Sequence, residues 1–90
     1  MIEKYRNERR HGLVVNVQGA TESRMKKVAE DIFSKGLCDE KVETILEYHG
    51  NWILVWPKGV SVQMPFIIQS LSGFGTGFWA VETLENYLKS

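Results

Sequence analysis

Two histidines, His11 and His49, and one thiol, Cys38, are the side chains of this 90-residue chain best suited to nucleophilic or acid–base chemistry. Cys38 with His49 as its base is the nucleophile pair they allow. Nothing in their spacing demands it, and a solitary cysteine ordinarily serves as a small apolar residue. The same three side chains lack the close spacing of a zinc site. No catalytic residue, metal ligand or cofactor is assigned, and the expectation is a protein that is not an enzyme. Gly73-Phe74-Gly75-Thr76-Gly77 could turn backbone amides toward a phosphate at the start of a following helix. It lacks both the G-x-G-x-x-G spacing and the Gly-Lys-Ser/Thr ending of the common nucleotide loops, and reads as a hinge.

Binding chemistry is better represented. Lys4, Arg6, Arg9 and Arg10 cluster before the first apolar run, and Arg24, Lys26 and Lys27 follow shortly after it. These seven form a candidate nucleic-acid contact set, with Tyr5 available to stack on a base. Ile45, Trp52, Leu54 and Trp56 form the second candidate surface, because period-two alternation places them on one side of a hairpin. A tryptophan buries about 150 to 250 Å², worth roughly 4 to 6 kcal/mol gross. Such a face is either a protein-docking or dimer surface or a second core layer.

The elements that position these groups follow from punctuation and periodicity. Residues 1–11 are polar and read as a flexible arm or frayed helix, dispensable for the fold. Leu13 to Val17 reads as a strand with Leu13, Val15 and Val17 facing the core. Thr21 caps a helix whose apolar face is Met25, Val28, Ala29, Ile32 and Phe33, and Gly36 ends it. Val42 to Tyr48 and Trp52 to Trp56 form a hairpin about Gly50-Asn51, with Tyr48 opposite Ile53 and Leu46 opposite Val55. Val42, Leu46, Tyr48, Ile53 and Val55 then share one face. Val60, Val62 and Met64 suggest a third meander strand, Phe66 to Leu71 suits a short helix, and Phe78, Val81, Leu84 and Leu88 suggest a last helix capped by Thr76.

The expected fold is therefore α+β: an antiparallel sheet of three to four strands with two main helices packed on it, in the order β-α-β-β-β-(α)-α. Residues 1–11 are the arm and 12–90 a single domain. From Thr21 onward the outline helix, three strands, helix resembles the double-stranded-RNA-binding domain, whose last helix also follows a glycine-containing loop. That family's lysines at the start of this helix fall here near Phe78 and Trp79, so the resemblance does not carry the activity over.

Composition limits the function classes. Hydrophobic residues are 43% and charged ones 24%, ordinary globular usage. The longest apolar stretch, Trp52 to Pro57, is far short of the ~20 residues that cross a bilayer. Formal net charge is zero, without the bulk signature of a dedicated nucleic-acid binder. Residues 1–27 nevertheless carry seven basic and three acidic side chains, whereas residues 28–90 carry four and eight. Cys38 has no disulfide partner and Met1 is followed by no apolar leader, which gives a cytoplasmic expectation. The functional expectation is a small binding or regulatory protein, in the manner of a phage or mobile-element accessory factor. It would dock on another protein or on itself as a homodimer through the aromatic face. The alternative is a nucleic-acid-binding module using the arm and first helix.

Overall fold

A computed structural model describes residues 2–16, 19–72 and 80–89. The glycine-rich segment 73–77, its proposed cap Thr76, and Val17, Phe78 and Trp79 lie outside the described residues. Among the described residues the chain is α+β, with four helices around a four-stranded antiparallel sheet. The elements are α1 (Ile2–Asn7), β1 (Gly12–Asn16), α2 (Glu22–Ser34), β2 (Thr44–Tyr48), β3 (Asn51–Val55), α3 (Met64–Ser72), β4 (Ala80–Thr83) and α4 (Leu84–Lys89). The strands lie in the order β2-β3-β1-β4. Excluding the two outer helices, β1-α2-β2-β3-α3-β4 is a pair of interleaved split β-α-β units, the ferredoxin-like arrangement.

Both faces of the sheet are covered. Leu13 and Val15 of β1 and Leu54 of β3 bury against Met25, Val28 and Ile32 of α2 and Ile67 and Leu71 of α3. On the opposite face Val14, Ile53 and Val55 bury against Ile2 and Tyr5 of α1 and Leu84 of α4. The continuous burial of Leu13, Val14 and Val15 reflects this: a central strand covered twice has no polar side.

Residues 2–7, read as part of a flexible arm or a frayed helix, form the helix α1, because Ile2 and Tyr5 lie three apart and share one buried helical face. The α2 termini follow their sequence signals. Thr21 Oγ1 accepts from the Arg24 amide at 3.2 Å. Beyond Lys35, the Gly36 amide donates to the Phe33 carbonyl at 3.0 Å and the Leu37 amide to the Ile32 carbonyl at 3.4 Å, a Schellman cap with Gly36 at φ 73°.

The hairpin forms, with its turn one residue earlier than the patterns suggest. His49 and Gly50, at φ 50° and 80°, are the central residues, so Tyr48 opposes Asn51, Leu46 opposes Ile53 and Ile45 opposes Leu54. Glycine thereby takes the second central position of a primed turn, where positive φ is required. Each partner moves by two residues, so the faces survive. Val42 is the exception: it precedes β2, escapes strand alternation and packs on the α2 side.

Two expectations near the end of the chain are corrected. The strand expected over Val60 to Met64 is only an isolated bridge between Cys38 and Val62. The Gln63 carbonyl accepts from the Phe66 and Ile67 amides, both at 3.1 Å, and Pro65 occupies the first turn of α3. The last amphipathic run divides into β4 and α4, where Thr83 Oγ1 caps the helix by accepting from the Asn86 amide at 3.1 Å. A strand between α3 and α4 also departs from the double-stranded-RNA-binding outline. No helix among the described residues is long and apolar enough to cross a membrane.

Candidate functional site

The aromatic face is core. Leu54 and Trp56 are fully buried, while Ile45 and Trp52 are half-buried against the same cluster. Of the two alternatives the sequence left open, the packing at Leu54 and Trp56 is that of the second core layer, because α2 and α3 both pack on the side of the sheet that carries these residues. The Trp56 indole N–H has no hydrogen-bond partner among the described residues.

Cys38 and His49 are also set apart. Cys38 is buried in the cluster under α2 and α3, whereas His49 is exposed at the hairpin turn, its ring edge-on to Tyr48 at 4.1 Å. Tyr48 packs with the cluster on the other face. No group of three or more potential ligands able to hold a metal occurs among the described residues.

The basic residues divide by element. Arg24, Lys26 and Lys27 lie on α2, which covers one face of the sheet, and Lys4 and Arg6 lie on α1, which covers the other. The candidate contact set is therefore divided between the two covered faces of the sheet. On α2, Lys26 pairs with Glu22 at 3.8 Å, an exposed bridge of small energetic value.

Arg10 leaves the contact set altogether. Its side chain is buried, with Nε and Nη2 donating to the Trp56 carbonyl at 3.0 and 2.7 Å. Nη1 donates to Glu8 at 2.7 Å and Nη2 to Glu43 at 2.6 Å, and the guanidinium lies 5.5 Å from the Tyr5 ring centroid. The hydrogen bond with Glu43, then that with Glu8, raises the Arg10 pKa against the opposing effect of burial. The bond from Arg10 in turn holds the Glu8 carboxyl below its usual range. Arg10 is a clamp that ties the segment after α1 to the end of β3.

The backbone explains why neighbouring arginines point to different fates. The Arg9 amide donates to the Arg6 carbonyl and the Arg10 amide to the Tyr5 carbonyl, both at 3.1 Å, forming a second Schellman cap with Arg9 at its left-handed position, φ 52°. Glycine or asparagine ordinarily fills that position, since a larger residue is strained there. Arg10 turns inward while Arg9 is exposed, and its side chain makes no ion pair among the described residues.

Arg9 borders a cleft of about 540 Å³ between α1, the α1–β1 loop, the start of α3 and α4. Besides the buried Arg10, Arg6, Arg9, His11 and Lys89 are basic residues of its lining, and Met64 and Leu88 are among the half-buried apolar ones. Arg6 braces the cleft: Nη1 donates to Glu3 at 3.1 Å and Nη2 to the Leu88 carbonyl at 3.2 Å, linking α1 to α4. Glu85, also in the lining, pairs with Lys89 at 3.3 Å, and both side chains are exposed. Lys4 is exposed but does not line the cleft. Sequence reasoning reached Arg6 and Arg9 but missed Lys89, Met64 and Leu88, whose one legible signal was a lysine in the last turn of an amphipathic run. No protein-family model, curated protein or solved structure matches this chain.

Proposed function

We propose that this chain is a small non-enzymatic binding protein whose contact surface is the basic cleft, and that its partner is the phosphate backbone of a nucleic acid. The observation that carries this reading is Arg9: a charged side chain held at a left-handed backbone position on the rim of a concavity shared with Arg6, His11 and Lys89. Non-glycine residues held in the left-handed region cluster at active and ligand-binding sites, and of the two such residues among those described Arg9 is the one on the rim of the cleft. The cytoplasm, where a lone thiol stays reduced, is the compartment consistent with this role.

The test is fluorescence anisotropy of a labelled oligonucleotide across a salt series. With three phosphate contacts on a single strand, affinity should fall about twentyfold between 50 and 200 mM salt. Charge reversal of Arg9 and Lys89 together should flatten the slope and weaken binding by at least about tenfold. Binding with no salt dependence would remove the cleft cations from the account.

A second reading, contact with another protein or a second copy, is favoured by Phe66, which is 57% exposed on α3. Its test is light scattering and partner capture with Phe66→Ser. Loss of assembly in a folded variant would support it.

A further inference from the structure

Resting on the nucleic-acid reading, we infer that the cleft accepts a single strand rather than a duplex, with an unstacked base on the apolar floor and adjoining phosphates on the rim. The cleft is concave and, at about 540 Å³, matches the size of a site for a small organic group. A duplex presents phosphates on a convex rod, and proteins that read it push a helix or ribbon into a groove. Here the cations surround a depression. A base inside a duplex is stacked and paired and cannot enter it, whereas in a single strand each base offers a free apolar face.

The lining has the two chemistries a nucleotide needs. Val62, Met64 and Leu88, each half-buried, retain accessible apolar surface from the segment before α3, from α3 and from α4. Met64 is unbranched and polarisable, which suits contact with a flat ring. Arg6 and Arg9 come from the α1 side and Lys89 from α4. Arg10, though part of the lining, is buried and held by Glu8 and Glu43, whereas Arg6 and Lys89 pair with Glu3 and Glu85 only through exposed bridges that a phosphate can replace.

The experiment uses the full chain at low salt with labelled single-stranded DNA and RNA of about 12 nucleotides, a blunt duplex of the same length, and unlabelled inorganic polyphosphate as a base-free competitor. The inference expects the single strands to bind at least about tenfold more tightly than the duplex, and polyphosphate to compete at least about tenfold more weakly than an unlabelled single strand. Met64→Glu, checked for folding by circular dichroism, should weaken single-strand binding by a similar factor. A duplex that binds as tightly as the single strand, or polyphosphate that competes as well, overturns the base-seating inference while leaving phosphate binding in place. Absence of binding to every probe overturns the nucleic-acid reading itself. Because the single-strand to duplex ratio is read on the unaltered protein, a Met64 variant that fails to fold leaves the test decisive.

Discussion

Arg9 and Arg10 are adjacent, equally charged and indistinguishable by residue type, yet one is exposed and the other buried. What separates them is the αL turn after α1, which a sequence reader looks for at glycine and not at arginine. Replacing Arg9 with glycine should therefore leave the thermal midpoint unchanged or raise it, because the strain goes while no ion pair is lost, yet weaken oligonucleotide binding severalfold. A lowered midpoint would show that Arg9 supports the fold. Arg10→Met should cost roughly 2 to 3 kcal/mol by urea denaturation, chiefly by leaving the Trp56 carbonyl without its donors. Acid should weaken the same clamp. The Glu8 carboxyl is held below its unfolded-state pKa, so its contribution is present above that pKa and is lost as pH falls through the lower folded-state value. Urea melts between pH 7 and 3 should show this loss in the unaltered protein and less of it in Arg10→Met; equal acid sensitivity would contradict the link. Trp56→Ser should unfold the chain, since truncating a buried aromatic costs about 3 to 5 kcal/mol and Trp56 is 0% exposed. A folded Trp56 variant that loses only assembly would return it to an interface.

At the scale of elements, legibility followed the strength of local punctuation. Thr21 and Gly36 bracket α2 because both caps are made by the chain's own nearby groups. The hairpin was visible in its two apolar runs, but either of two positions can supply a two-residue turn, and only the backbone shows that His49-Gly50 is used. Gly50→Val should destabilise the fold by about 1 kcal/mol or more, because φ is 80° at that position. An unchanged midpoint would contradict the primed turn. The alternation of Val60, Val62 and Met64 misled for a different reason. Those side chains pack partly buried on the α2/α3 core without a ladder, so periodicity reported burial and not strand pairing. The split into β4 and α4 was hidden because Val81 and Leu84 satisfy helical spacing while Val81 pairs with Val15 across the sheet.

For the whole molecule, the α+β class and the antiparallel sheet were legible; the second covered face was not. Its coat comes from α1 and α4, six residues each, too short for periodicity to declare their apolar sides. Deleting residues 1–10 should consequently abolish the cooperative melt, because it strips Ile2 and Tyr5 from Val14, Ile53 and Val55 and removes the Arg10 clamp. A truncated chain that melts cooperatively at the original midpoint would restore the dispensable arm. The same distance in sequence explains the half-legible site: Arg9 and Lys89 meet at one cleft only because α1 and α4 share a face of the sheet. The most direct test of the account is a backbone-amide NMR titration of the full chain with a short single-stranded oligonucleotide. Shifts should concentrate at Arg6, Arg9, His11, Met64 and Lys89 and leave α2 unmoved; shifts centred on α2 and the exposed face of α3, or no shifts at all, would contradict it.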